Sequence, residues 1–275
     1  MYWDKLFRVA CILLLGLHQV QAETELVQIS VQPSGKDYRL VGRNDGVAPM
    51  NVRVDLVGSR NLRSDAGMML QAVLRPGTET ILAHLEPAYR REPMQVQWQV
   101  GSQLGDPAAV HDEGAHYLLP FPAGRRLQVA QAADGPLTTH NSENMRYAID
   151  IAMSVGTPIR AARSGRMLDS RGWFGEGRPD GDYLDRVNFV RILHPDGTWA
   201  VYAHLSDINP DLSPGDWVEA GTRIGLSGNS GFSSGPHLHF AVLKNAGSTE
   251  RALPFQFYTL RRGMFVPHRG EWLQE

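Results

Sequence analysis

The chain has 275 residues, enough for two domains of ordinary size, and a formal net charge of -2. That balance excludes a partner gripped through a strongly basic surface, so nucleic acid is not an expected ligand. The one cysteine is Cys11. It lies in an N-terminal segment expected to be removed, which excludes disulfides, thiolate catalysis and cysteine-rich zinc sites from the mature chain. Any metal must then be held by His, Asp or Glu.

Lys5 and Arg8 precede an apolar run from Val9 to Leu17, and Val20-Gln21-Ala22 supplies short residues where a signal peptidase reads. Residues 1–22 have the three-part pattern of a secretory signal, with cleavage expected after Ala22. The apolar run is far shorter than the roughly 20 residues a spanning helix needs. The mature chain is therefore expected to be exported, without stable membrane insertion. Its expected location is the periplasm or cell envelope, or the surrounding medium.

From about residue 25 to 105 apolar and polar residues alternate: Val27, Ile29 and Val31, then Val52, Val54 and Leu56, then Val96, Trp98 and Val100. A period of two gives each strand one buried and one solvated face. Turn formers separate the runs at Pro33-Ser34-Gly35, Asn44-Asp45-Gly46 and Pro76-Gly77. This pattern predicts a small β-sandwich. Residues 23–115 are assigned to that accessory domain and a linker, with Gly101 to Gly114 read as the linker. His84, His111 and His116 are read as structural.

Residues 116–275 form a second β-rich unit with a C-terminal tail. Its predicted strands are Tyr147–Ala152, Pro158–Ala162, Val187–Leu193, Trp199–His204 and His237–Leu243. A polar, Gly-rich stretch between Ser170 and Arg186 reads as a long surface loop, either a binding element or a tolerated insertion. There is no internal repeat and no long amphipathic helix pattern.

Chemistry-bearing residues concentrate in this second unit. His237 and His239 lie two apart on a predicted strand, so both rings point to one face, roughly 6–7 Å apart along the chain. They are either a pair bordering a metal or two solvated strand histidines. Asp150 faces away from Ile149 and Ile151, and once buried it needs a partner. A metal ion or Arg146 would serve. His204 ends an aromatic and apolar strand, as a site residue or a satisfied core histidine. His194 opens the turn His194-Pro195-Asp196-Gly197 and is read as structural. Two His and one Asp would leave a fourth coordination position open, as catalytic zinc sites do.

Taken in order, Tyr147-Ala148-Ile149-Asp150 through Gly156-Thr157-Pro158, Ala162, Gly165, Tyr202-Ala203-His204-Leu205, Gly215-Asp216-Trp217-Val218, Ile224-Gly225 and Gly235-Pro236-His237-Leu238-His239-Phe240 resemble the LytM/lysostaphin-type metallopeptidases, peptidase family M23. The resemblance runs from about Tyr117 to Phe257. It implies an antiparallel β-sheet domain with a groove, and Zn(2+) held by His140, Asp150 and His239. It also implies a catalytic pair, His204 and His237, beside a zinc-activated water. The family's usual first histidine stands four residues before the aspartate. Here that position is Arg146, and His140 stands ten before. The implied activity is endopeptidase cleavage of peptidoglycan peptide cross-links. Separately from the resemblance, the long loop with Trp173 and Phe174 is expected to wall the substrate groove. Three alternatives remain. One is a non-catalytic regulator of other wall hydrolases, acting through a partner protein. Another is a secreted peptidase acting on Gly-rich proteins. The third is a wall-binding module with no enzymology, which zinc content near zero would favour.

Overall fold

A computed structural model of the chain describes residues 8–13, 22–24, 26–133 and 140–275. The segment read as an export signal, residues 1–22, lies mostly outside the described residues. Of it, Arg8–Leu13 forms a strand paired antiparallel with Gln95–Leu104. The chain divides into two compact units, residues 1–107 with 247–249, and residues 108–246 with 250–275.

In the first unit, one sheet has the strand order Arg8–Leu13, Gln95–Leu104, Met50–Asp55, Met69–Leu74. The other runs Ala22–Thr24, Val27–Ser34, Asp37–Asn44, Glu79–Pro87, Leu62–Ser64. Val27, Ile29, Leu40 and Leu85 from one sheet share a core with Val52, Val54, Leu74, Val96 and Trp98 from the other. Burying the alternate residues of both sheets against each other is what joins them. Gly101 to Leu104 are not linker. They continue the strand Gln95–Leu104 and pair with Met50–Asp55, which satisfies backbone groups a linker would leave to water.

The second unit is built on a nine-stranded sheet. Its order is Trp217–Val218, Gly165–Arg171, Phe189–Leu193, Trp199–Ala203, His237–Asn245, Ile149–Ala152, Leu127–Gln131, Trp272–Leu273, with Glu250–Ala252 added beside His237–Asn245. All its pairings are antiparallel. A smaller antiparallel sheet joins Pro158–Arg160, Arg223–Ser227 and Leu205–Ile208. Tyr117–Leu118 pairs in parallel with Phe257–Thr259.

Ile149, Ile151, Val190, Ile192, Tyr202, Leu238 and Phe240 supply much of the core. Because strand residues alternate, burying Ile149 and Ile151 turns Asp150 to the opposite face, and burying Leu238 and Phe240 does the same for His237 and His239. All five predicted strands of this unit differ at an end: the strand expected from Val187 begins at Phe189, and the one expected to stop at Leu243 runs on to Asn245. Tyr147 and Ala148 precede the strand Ile149–Ala152, Pro158–Arg160 stops short of Ala162, and Trp199–Ala203 stops before His204. The reason at His204 is its φ of 64°, which breaks the extended run. Among the described residues no helix is long and apolar enough to cross a membrane.

Candidate metal centre

Asp150 and His239 are direct cross-strand partners, and His237 pairs with Ala152 on the same two strands. Opposed residues have their Cβ atoms about 4.5–5.5 Å apart, so the register alone brings carboxylate and imidazole together. Nδ1 of His239 lies 2.9 Å from Oδ1 of Asp150. His140 arrives from outside the sheet. Residues 142–147 are a succession of turns, with Met145 N–H donating to Ser142 O and Ala148 N–H to Met145 O. Those turns take up the extra length between His140 and the aspartate strand. Nδ1 of His140 then donates to Ala148 O at 3.0 Å, and its Nε2 faces Asp150 Oδ1 at 3.4 Å. Arg146, which holds the usual position of the first histidine, is exposed, with its guanidinium over the Tyr147 ring.

One ligand atom from each of His140, Asp150 and His239 lies within 4.8 Å of the other two, and all three residues are buried. Four donors placed tetrahedrally around zinc at about 2.0–2.2 Å stand roughly 3.3–3.6 Å apart. The observed 3.4 Å fits, and the 2.9 Å contact would have to open by a few tenths of an ångström. The set of two imidazole nitrogens and one carboxylate oxygen suits a metal ion of this kind. The carbonyl behind His140 is the partner a metal-binding imidazole usually has on its far nitrogen. Burial alone would raise the Asp150 carboxyl. Hydrogen bonds from His140 and His239 outweigh it, and the carboxyl is held well below the usual carboxylate range.

Two further imidazoles border the cluster. His237 Nε2 is 3.7 Å from Asp150 Oδ1, and its Nδ1 donates to Gly235 O at 2.7 Å. His204 Nδ1 donates to Ser230 O at 2.6 Å. A carbonyl can only accept, so each Nδ1 carries the proton and each Nε2 is left as an acceptor in the neutral ring. The two rings lie 4.4 Å apart, and His204 is 5.9 Å from His239, centroid to centroid. Burial first, then the nearby His237 and His239, push the His204 imidazole down to about 3. At Gly228 the chain passes so close to His204–Ser206 that an added Cβ would lie 2.5 Å from Ser206 N and 2.8 Å from His204 O.

The structure thus brings together all five residues singled out in the sequence: His140, Asp150, His204, His237 and His239. Four other described histidines lie outside the cluster. His194 is buried with Nδ1 on Ser164 O, His116 stacks on Tyr258, His111 lies 3.6 Å from Asp196, and His84 is exposed. Sequence reasoning missed Gln131, whose Nε2 donates to Asp150 Oδ2 at 2.8 Å and leaves Oδ1 to the histidines. It faces Asp150 because the strand is irregular between Val129 and Gln131, so that Ala130 drops out of the pairing.

The model of peptidase family M23 matches residues 144–251, a segment that contains Asp150, His204, His237 and His239 and begins after His140. Lysostaphin of Staphylococcus simulans is 33% identical over 154 residues, spanning 54% of this chain and 27% of lysostaphin. The peptidoglycan DD-endopeptidase ShyA of Vibrio cholerae serotype O1 is 30% identical over 159 residues, spanning 58% of this chain and 28% of ShyA. The chain therefore covers less than a third of the length of these relatives. Among solved structures, the catalytic domain of S. simulans lysostaphin is 31% identical over 52% of this chain and 88% of that chain, at a TM-score of 0.31. The family's segment includes the sheet strands that carry Asp150, His237 and His239, and residues 144–251 of the chain are a peptidase family M23 domain.

Proposed function

We propose that the chain is an exported zinc endopeptidase that hydrolyses the peptide cross-links of bacterial peptidoglycan. The observation that carries this reading is the pairing of a three-residue ligand set with two imidazoles whose Nδ1 atoms are tied to carbonyls. A relative named as a peptidoglycan DD-endopeptidase supports the substrate class. The N-terminal signal pattern, residues 1–22, supports export.

His140, Asp150 and His239 would hold the zinc, which supplies Lewis-acid polarisation of a carbonyl and activation of water. Asp150, as a carboxylate, offsets one of the two positive charges. Gln131 fixes that carboxylate from behind. His204 and His237 present unprotonated Nε2 atoms on one side of the ligand set. One of them takes the proton of the attacking water at Nε2 and, now an imidazolium, can return it to the leaving amine; the other would hydrogen-bond the developing oxyanion only once it too carries a proton on Nε2. Their carbonyl partners fix the tautomer that a proton-accepting Nε2 needs.

The test is digestion of purified cross-linked peptidoglycan by the chain from Glu23 onward, with fragments identified by mass spectrometry. Chelated protein and His237→Ala run beside it, with a Gly-rich polypeptide as second substrate. Loss of cross-linked dimers with the intact protein alone is expected. Cleavage confined to the Gly-rich chain would favour a secreted protein-directed peptidase. Neither cleavage nor bound zinc would favour a regulator of other hydrolases.

A further inference from the structure

Among the described non-glycine residues, positive φ occurs only at Asn61 and His204. A left-handed conformation is strained for an L-residue and persists where surrounding contacts over-determine it. At His204 those contacts pass through Asn188, which is fully buried. Leu205 N–H donates to Asn188 O at 3.3 Å, and Leu205 O accepts from Asn188 Nδ2 at 2.9 Å. Ser230 closes the ring: its Oγ donates to Leu205 O at 2.9 Å and accepts from Asn188 N–H at 3.0 Å, while its carbonyl takes His204 Nδ1. Backbone and ring of His204 are thus set by one small network.

The rest of the Asn188 amide points the other way. Oδ1 accepts from Phe174 N–H at 3.0 Å and Nδ2 donates to Phe174 O at 2.7 Å, so the side chain holds Phe174 as a neighbouring strand would. Phe174 belongs to the long loop after Arg171. Its neighbour Trp173 is 74% exposed, and the two rings lie 6.0 Å apart. The same loop is docked by its backbone, Gly231 N–H to Glu176 O and Arg178 N–H to Gly231 O, one residue beyond Ser230. An added Cβ at Gly177 would stand 2.0 Å from Asn229 O, so the approach leaves no room for a side chain.

We infer that Asn188 is a positioning residue that couples the exposed aromatic loop to His204, so that a ligand pressing on Trp173 and Phe174 and the orientation of the His204 ring are one mechanical event. The inference rests on the reading that His204 works beside the metal. Asn188→Asp keeps the size and Oδ1 while removing both Nδ2 donors, and Ser230→Ala loosens the His204 side of the network while sparing both bonds to Phe174.

The experiment compares these variants and Trp173→Ala, each loaded with zinc, in steady-state cleavage of a purified cross-linked muropeptide dimer. In parallel, imidazole ¹H–¹⁵N correlations follow the Nδ1–H of His204 in the full chain. Asn188→Asp is expected to lower kcat by about tenfold or more and to raise KM, since it loses bonds on both sides. Ser230→Ala is expected to lower kcat with KM unchanged. Trp173→Ala is expected to raise KM in the parent and to add little in Asn188→Asp, because that loop is already released. The His204 Nδ1–H signal should shift or exchange faster in Asn188→Asp and Ser230→Ala. Should Asn188→Asp not fold, Ser230→Ala carries the kcat and resonance tests alone. A folded, zinc-loaded variant with kcat, KM and the His204 resonance all unchanged would overturn the inference. If the parent chain cuts no muropeptide, the reading of function fails while the resonance still tests the coupling.

Discussion

Replacing Gln131 with alanine removes the hydrogen bond that holds Oδ2 of Asp150 at 2.8 Å. Asp150 is only 4% exposed, so water cannot freely replace that donor. A hydrogen bond to a charged group contributes about 1.5–3 kcal/mol, a factor of about 10–100 in a binding constant. Removing a partner behind a metal ligand costs metal affinity in the same range. The carboxylate of the variant can also rotate, which takes Oδ1 away from the point where His140 Nε2 and His239 Nδ1 converge. Zinc affinity is read by competition against a chromogenic chelator at neutral pH. A Kd raised about 10- to 100-fold is expected for Gln131→Ala. Gln128 is the matched control, since it lies on the same strand but donates to Gly270 O. Gln128→Ala should bind zinc as the parent does. A Kd within about twofold of the parent for Gln131→Ala would refute the reasoning, because that change is smaller than one charge-assisted bond is worth.

Burial first, against the hydrogen bond to Ser164, pushes the His194 imidazole down to about 4. The unfolded chain therefore binds the extra proton first, so the contribution is complete above about pH 6.5 and is lost as pH falls toward 4, a loss on the order of 3 kcal/mol. Urea unfolding of the second unit followed from pH 7.5 to 4.5 should show this slope, and His194→Asn should flatten it; equal slopes would contradict it. Gly228→Ala forces a Cβ to 2.5 Å from Ser206 N. It should destabilise the second unit by about 1–3 kcal/mol and reduce cleavage, read by thermal melting and assay on the folded protein. Chelation should lower the melting temperature and zinc should restore it, since free zinc at a hundredfold its Kd stabilises by about 2.7 kcal/mol. A midpoint indifferent to metal would count against a site that binds only the folded chain.

Much of the cluster was legible because a strand repeats every two residues. Once Ile149 and Ile151 are assigned to the core, Asp150 must face the other way, and His237 and His239 follow from Leu238 and Phe240 in the same manner. What alternation cannot give is partner register, and so the direct opposition of Asp150 and His239 appears only in the fold. Gln131 was hidden for a related reason: an unbroken strand would set Ala130, not Gln131, against Asp150, and the irregularity after Val129 has no local signature. His140 came from resemblance, and the turns that carry it to Ala148 explain how a spacing of ten residues reaches the site. Asn188 looked like one more polar residue at the start of a strand. Its weight comes from contacts 14, 17 and 42 residues away, with Phe174, Leu205 and Ser230. In the first unit the alternation located the strands, but Gly101 misled, because a glycine inside a paired strand looks like the beginning of a linker.

Crystals of the chain grown with zinc, with diffraction recorded on both sides of the zinc absorption edge, test the central claim most directly. The account predicts one strong anomalous peak in the second unit, about 2.0–2.2 Å from His140 Nε2, Asp150 Oδ1 and His239 Nδ1, with His204 and His237 beside it and not bound to it. No peak there at saturating zinc, or a peak whose ligands leave out His140, would contradict it.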